Sequence, residues 1–157
     1  MTIEKPSNNL LKLFLGESAD DEGNAQSVRA AVGDRFLYCE AYGWMTWTGT
    51  HWSTDEAEAA LDRAIVATLK QRRTAAVDAD KEAVVRCSIP STKRVRDAKA
   101  LFRSIVGASV ATFDAAPDAL NVKNGVLNLR TGELAEHNPV QRFTYAVPIE
   151  YDPKADQ

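Results

Sequence analysis

Five basic residues recur along one predicted helix and are the clearest candidates for binding a charged partner. The segment 91–106 around them carries a single acidic residue, Asp97. Helices usually mix the two signs, so this excess favours contact with the phosphates of a nucleic acid, where each Lys or Arg displaces condensed counterions. Two other interpretations stay open: a solvated helix face, or docking against an acidic neighbour such as residues 1–60 of another copy. The five residues are Lys93, Arg94, Arg96, Lys99 and Arg103.

The charge is distributed unevenly along a chain that is acidic as a whole. The formal net charge of the 157 residues is −3. Residues 1–60 carry −6, residues 61–113 carry +6 and residues 114–157 carry −3. A strongly basic nucleic-acid-binding protein is therefore excluded, and any DNA contact must be local or supplied jointly by several copies. A second candidate set lies in the same basic segment: Lys70, Arg72 and Arg73.

The residue patterns of common catalytic and cofactor sites are absent from the sequence. It contains no glycine-rich phosphate loop followed by Lys and Ser or Thr, so we expect no ATP binding by this chain alone. His51 and His137 lie far apart, outside any paired metal-ligand pattern. Two cysteines, Cys39 and Cys87, are too few for a disulfide framework, so we expect reduced thiols. We expect no metal, no cofactor and no catalysis by this chain.

Three tryptophans, Trp44, Trp47 and Trp52, fall close together in a segment with strand character. One interpretation is that they form the core or one face of a sheet. Trp44 and Trp47 have opposite strand parity, however, so one of them could be exposed. An exposed Trp could stack on a base, a sugar or a proline, and could serve a protein-interaction module.

Hydrophobic periodicity predicts an α+β fold in which helices pack with a small antiparallel aromatic meander and a C-terminal β-hairpin. Hydrophobic residues make up 45% of the chain and charged residues 26%, as in globular domains. No signal sequence or membrane-spanning stretch is recognisable, so we expect a cytoplasmic protein. The predicted segments are a helix or arm over 8–16, a helix begun by Asn24, strands over 35–52, a helix opened by the capping box Ser53–Glu56, a loop over 74–80, a short helix over 81–87, a helix capped by Ser91, and a strand over 143–147.

The hairpin is the clearest local signal. Asn124-Gly125 suits the two positive φ angles of a type I′ turn. Counting outward from that turn pairs Val122 with Leu127 and Leu120 with Leu129. We therefore expect one face to be buried and the other, with Asn121, Lys123 and Asn128, to face water. The face expected to be buried consists of Leu120, Val122, Leu127 and Leu129.

Several motifs in order resemble a known family. The pattern Trp-x-x-Trp-x-Gly-x-x-Trp is formed by Trp44, Trp47, Gly49 and Trp52. The pattern Asn-Gly-Val-x-x-Leu-x-Thr-Gly includes Asn124, Gly125, Leu129 and Gly132. Residues 20–157 resemble the helicase-adjacent N-terminal domain of phage and plasmid primase–helicases, a family related to the poxvirus-type primase–helicase. The other segments that carry this resemblance are Asp21–Ala25, Gly33–Arg35, Phe113-Asp114, His137–Pro139 and Tyr151–Ala155.

The resemblance implies a non-catalytic role in DNA replication, in a phage-infected or bacterial cytoplasm. In that family a superfamily 3 helicase follows the domain and works as a ring, and the domain itself helps to assemble the ring and to handle DNA. We expect an N-terminal arm over 1–19, one α+β domain over 20–151 and a tail over 152–157. The expected partners are single-stranded or forked DNA, a helicase motor downstream or in trans (this sequence lacks it), and further copies of the chain. The alternative is a protein–protein interaction module built on the Trp44, Trp47 and Trp52 meander.

Overall fold

The computed structural model describes residues 4–155 and shows a mixed α+β protein. Five α-helices and two three-stranded antiparallel sheets are present in the described residues. This architecture confirms the fold class predicted from the sequence. Contacts divide the chain into two units: one is the chain up to Phe36 with Glu58–Gly107, and the other is Leu37–Ala57 with the chain from Ala108 onward. No helix in the described range is long and apolar enough to span a membrane.

The first unit is helical. Phe14 of α1, Val28 of α2 and Phe102 of α5 are all fully buried in its core. Helix α3 contributes Leu61, Ile65 and Leu69 at helical spacing, all without exposed surface. Helix α2 packs chiefly against α5. The helices are α1 (Asn8–Gly16), α2 (Asp21–Val32), α3 (Ala57–Asp78), α4 (Glu82–Cys87) and α5 (Thr92–Ile105).

Three predicted helix boundaries are wrong: the start of α2, the end of α3 and, as described in the next paragraph, the start of α3. Helix α2 is capped by Asp20, whose carboxylate accepts from Gly23 N at 2.9 Å, whereas Asn24 lies buried inside the helix. Helix α3 continues through the predicted loop to Asp78, because buried Ala75 and Ala76 favour the helix and no breaker interrupts it.

The predicted capping box also does not form. The hydroxyl of Ser53 accepts from Asp55 N at 3.0 Å rather than from Glu56. Glu56 adopts a positive φ of 52°, and α3 begins one residue later. Local sequence matched the motif, but Ser53 belongs to a strand that fixes its direction.

The predicted aromatic meander is present as sheet A. Its strands follow one another in space in chain order, and Trp47 pairs with Trp52 across β2 and β3. Cys39, Met45 and Trp52, one from each strand, form a buried cluster with Phe113 in the second unit. The strands of sheet A are β1 (Phe36–Cys39), β2 (Gly43–Trp47) and β3 (Trp52–Ser53).

Sheet B contains the predicted hairpin in a different register. It is formed by β4 (Ala119–Val122), β5 (Gly125–Asn128) and β6 (Leu134–Ala135). Val122 pairs with Gly125, so the turn residues are Lys123 and Asn124, one position earlier than predicted. A Cβ at Gly125 would lie 2.3 Å from the Ala135 carbonyl oxygen. The close approach of β6 therefore requires glycine at position 125, which lies in strand β5 rather than in the turn.

Burial in the hairpin also differs from the prediction, although the new register still keeps Leu120, Val122 and Leu127 on one face and Asn121 on the other. Asn121, expected to face water, has no exposed surface, while Leu129, expected in the core, is 56% exposed. The predicted strand over 143–147 is also wrong, since only Val147 forms a bridge there, parallel to Val122. Tyr145 in that segment instead accepts a hydrogen bond at its carbonyl from the Asn121 side chain, at 2.7 Å.

Candidate nucleic-acid interface

Helix α5 places three of the predicted basic residues on one exposed face. The Ser91 hydroxyl caps the helix by accepting from Arg94 N at 3.1 Å, as predicted. Ala98, Phe102 and Val106 bury the opposite side. The three side chains that remain exposed form the α5 basic face, defined as Lys93, Arg96 and Arg103.

Asp97 is the only carboxylate on α5 and lies beside this face. Its two oxygens are 2.5 Å from Lys93 Nζ and 3.2 Å from Arg96 Nε. The hydrogen bond from Lys93 lowers the pKa of Asp97 most, and the hydrogen bond from Arg96 lowers it further. Both cations stay largely exposed, at 73% and 69% of their side chains, so neither is withdrawn from solvent. Exposed pairs of this kind are weak and are screened by salt.

Lys99 and Arg94 do not belong to the α5 basic face. Lys99 Nζ lies 2.8 Å from Glu58 and 3.0 Å from Asp62 of α3, and its side chain is 20% exposed. Partial burial pulls the pKa of Lys99 down, but hydrogen bonds to these two carboxylates outweigh it and leave that pKa raised. Arg94 lies on another side of the helix and donates to the Ile89 carbonyl oxygen at 3.2 Å.

The second predicted set, on α3, divides into two exposed residues and one buried residue. Lys70 and Arg73 are exposed. Arg63 is exposed as well, two turns before Lys70 on the same side of the helix. Nothing in the sequence signalled it, because it stands alone, seven residues before the cluster of basic residues at 70–73. We call Arg63, Lys70 and Arg73 the α3 basic face.

Arg72 is a structural hub in the core of the first unit and has no exposed surface. Its Nε donates to Phe14 O at 3.0 Å, and Nη2 donates to Glu17 O and Ser18 O at 3.0 and 2.6 Å. Nη1 donates to the side-chain oxygen of Asn24 at 2.7 Å. Because these acceptors end α1 and lie in α2, Arg72 fastens both helices to α3. Arg72 is therefore removed from the candidate interface.

The two thiols are free in the structure. Cys39 is buried at the end of strand β1 in sheet A. Cys87 Sγ lies 3.7 Å from Arg72 Nη1 and donates to Val84 O at 3.3 Å. Burial raises the pKa of Cys87 in spite of the nearby guanidinium, which disfavours a reactive thiolate. Among residues 4–155, no group of three or more His, Cys, Asp or Glu side chains could hold a metal ion.

The tryptophans act mainly in packing. Trp52 is 3% exposed and its indole nitrogen donates to Pro139 O at 2.9 Å. Trp47 packs on it, with ring centroids 5.6 Å apart. Trp44 is half-buried and makes an edge contact with Tyr38 at 5.1 Å. None of the three is presented as a fully exposed stacking platform.

The glycines and Asn124 of the family pattern shape turns in the second unit. Gly49 and Gly132 have positive φ angles of 102° and 73°. The Asn124 side chain forms two hydrogen bonds to the backbone of Tyr151, at 2.9 and 3.0 Å. Leu129 is the exception, since it is exposed. The pattern thus encodes backbone geometry rather than a reacting group.

Comparison with known proteins identifies the family of the chain. No curated protein matches the chain. A family model described as D5 N terminal like matches residues 25–157, which include helices α3 to α5 and both sheets. The suspected primase–helicase resemblance is therefore confirmed at the level of the family. The chain belongs to the D5 N terminal like family of primase–helicase-associated domains.

Proposed function

We propose that this chain is a non-catalytic accessory domain of a phage- or plasmid-type replication primase–helicase, and that it binds the backbone of single-stranded or forked DNA. The observation that carries the proposal is the α5 basic face, where Lys93, Arg96 and Arg103 are exposed together beside one carboxylate. Family membership supports the replication context. The helicase motor, downstream or in trans, supplies the ATPase activity.

The α3 basic face extends the proposed binding surface. Arg63, Lys70 and Arg73 are exposed and form no ion pair within the described part of the chain. Phosphate contacts need charge and reach rather than exact geometry, so flexible exposed Lys and Arg side chains suit them. Binding of this kind does not depend on base sequence.

Fluorescence anisotropy with labelled single-stranded, forked and duplex DNA tests the proposal. If the α5 basic face makes three phosphate contacts, it should contribute about −2 to the slope of log affinity for single strands against log salt, and contacts by the α3 basic face would add to that slope. Lys93→Glu with Arg96→Glu should weaken binding at low salt and make the slope less steep by about 1.4. The matched control is Lys12→Glu with Lys154→Glu, which changes the net charge equally at exposed positions elsewhere.

Either of two results would contradict the DNA-binding surface. The first is an absence of binding by the wild-type chain even at low salt. The second is equal weakening by the test pair and the control pair, which would show a response to net charge alone. Circular dichroism of each variant checks that its total helical content equals that of the wild-type chain.

The alternative, a protein–protein interaction module using Trp44, Trp47 and Trp52, has less support. Trp52 is buried, and the other two are half-buried against aromatic neighbours. Salt distinguishes the two functions, because aromatic docking changes little with ionic strength whereas phosphate binding falls steeply.

A further inference from the structure

The hairpin of sheet B contains the dipeptide in which an asparagine side chain is chemically least stable. Asn124 is followed by Gly125, and no other asparagine of the chain precedes a glycine. The side-chain amide of asparagine is lost as ammonia when the backbone nitrogen of the next residue attacks it. Glycine permits this attack most readily, because it has no side chain to obstruct the approach. Asn124 is also exposed to solvent, so its sequence context favours deamidation.

The backbone of Tyr151 holds the reactive amide of Asn124 at both ends. Asn124 Oδ1 accepts from Tyr151 N at 2.9 Å, and Asn124 Nδ2 donates to Tyr151 O at 3.0 Å. The side-chain amide thus uses one donor and one acceptor, as a backbone peptide group does in a sheet. Two hydrogen bonds to the same residue fix the orientation of the amide. We call this pair of hydrogen bonds the Asn124 clamp.

The Asn124 clamp continues a row of backbone contacts that runs beside the hairpin. Val147 forms a parallel bridge with Val122, and its N–H donates to Asn121 O at 2.9 Å. One step further along, Lys123 N donates to Ile149 O at 3.0 Å. Residues 147–151 therefore follow residues 121–124 in parallel, and the clamp adds one more pairing through a side chain. We call residues 147–151 the strap.

We propose that Asn124 is a deamidation site and that the Asn124 clamp controls its rate. In the reaction, the nitrogen of Gly125 forms a bond to Asn124 Cγ and gives up its proton, while the Cγ–Nδ2 bond breaks and ammonia leaves. Water from the solvent then opens the resulting cyclic imide to aspartate or isoaspartate. Ring closure requires the amide to turn toward Gly125, and the clamp opposes that rotation. The amide reacts only in molecules whose strap has released it, which is a local opening of the fold.

Loss of the amide nitrogen also prevents the clamp from closing again. Aspartate at position 124 still accepts from Tyr151 N, but it has no N–H to offer to Tyr151 O. A carboxylate oxygen would instead face that carbonyl oxygen, in the place where Nδ2 now lies 3.0 Å from it. Isoaspartate, in addition, lengthens the backbone within a two-residue turn. Deamidation therefore releases the strap, and the release is permanent.

Mass spectrometry of the full chain, incubated at mildly alkaline pH and then digested, measures the deamidation rate at Asn124. The folded wild-type chain should react at least about tenfold more slowly than the same chain unfolded in guanidinium chloride. Tyr151→Pro removes the N–H that Asn124 Oδ1 accepts and should raise the rate in the folded chain about threefold or more. Tyr151→Ala keeps that N–H and is the matched control, with a rate expected to stay near that of the wild type.

Three outcomes would overturn control by the clamp. They are equal rates in the folded and unfolded wild-type chain, no acceleration by Tyr151→Pro, and equal acceleration by Tyr151→Pro and Tyr151→Ala. If circular dichroism shows that Tyr151→Pro is unfolded, hydrogen exchange of the wild-type chain replaces it. Below the unfolding transition in guanidinium chloride, deamidation should increase together with exchange of the Tyr151 N–H. A rate that follows exchange of the β4 and β5 amides instead would exclude the clamp.

Asn124→Asp imitates one product and tests the release of the strap. Hydrogen exchange at the N–H groups of Val147 and Ile149 should become about threefold or more faster in this variant. Asn128→Asp is the matched control, because the Asn128 side chain uses only its oxygen, which accepts from two backbone N–H groups at 2.9 and 3.2 Å. Aspartate can make the same two bonds. Unchanged exchange in Asn124→Asp, or an equal change in both variants, would show that deamidation does not release the strap.

Discussion

The imidazole of His137 and the buried side chain of Asn121 are joined by a hydrogen bond, with Nδ1 3.0 Å from Oδ1. Asn121 Nδ2 donates to Thr50 O at 2.8 Å and to Tyr145 O at 2.7 Å, so its oxygen is left to accept from His137. His137 Nε2 lies 3.1 Å from Lys123 O. One polar pair thus ties together four separate backbone segments of the second unit.

A double-mutant cycle measures this relationship. Asn121→Ala should lower the free energy of unfolding by about 2–3 kcal/mol, because two carbonyl groups lose their donor in a buried setting. His137→Ala should cost less. Denaturant unfolding of both variants and the double variant should give a coupling energy of about 1 kcal/mol. Strict additivity would show that the pair does not act as a unit.

Arg72 should be among the positions least tolerant of substitution. Arg72→Met leaves the carbonyls of Phe14, Glu17 and Ser18 and the Asn24 oxygen without their donor. We expect a loss of about 3–5 kcal/mol in unfolding free energy, measured by urea titration. The matched control is Arg73→Met, at the exposed neighbouring position, which should change stability by less than about 0.5 kcal/mol. Similar losses in both variants would contradict the hub.

Asp97 should restrain DNA binding by the α5 basic face. Asp97→Asn removes the one negative charge beside Lys93 and Arg96 and keeps the shape of the side chain. Affinity for single-stranded DNA should rise roughly two- to fivefold at low salt, and the gain should shrink as salt is added. Glu82→Gln removes the same charge from exposed α4 and serves as the control in the anisotropy assay. An equal gain in the control would refute a local effect.

Gly125 should not accept a side chain. In Gly125→Ala the new Cβ would lie 2.3 Å from Ala135 O and 3.0 Å from Leu134 Cγ, so β6 would have to move. We expect a loss of about 1–3 kcal/mol or more in unfolding free energy. Gly16→Ala, where no atom lies within 4 Å, should be tolerated. Thermal unfolding that is unchanged by Gly125→Ala would mean that β6 does not pack there.

The Asp20 cap gives α2 a pH-dependent contribution. The Ser18 hydroxyl, at 2.5 Å, lowers the pKa of Asp20 most, followed by the Gly23 N–H. A lowered folded-state pKa stabilises the fold above the usual Asp range, and that stabilisation disappears as pH falls through the folded-state value. Asp20→Ala should therefore lower the melting temperature at neutral pH and have little effect in strong acid. Asp34→Ala, at the other end of α2, is the comparison; a pH-independent deficit in Asp20→Ala would exclude the carboxylate as the cause.

Periodic apolar residues and local caps determined much of the fold without any tertiary information. The α+β class, the meander, the Ser91 cap and the existence of the hairpin follow from interactions between residues near in sequence. The family could also be recognised from the sequence, because the order and spacing of its motif residues need no tertiary information. Basic residues of α5 were likewise visible, since their excess is a property of composition.

Only the tertiary structure decided which of these residues reach solvent. Arg72 and Arg73 are neighbours in sequence, yet one is fully buried and the other exposed, because α1 and α2 close over a single side of α3. Lys99 meets Glu58, 41 positions away, which no local pattern encodes. The hairpin register depended on β6 and on the segment that contacts Asn121. Burial and long-range pairing arise from chain segments distant in sequence. They therefore decided which of the predicted basic residues are exposed and form the candidate surface.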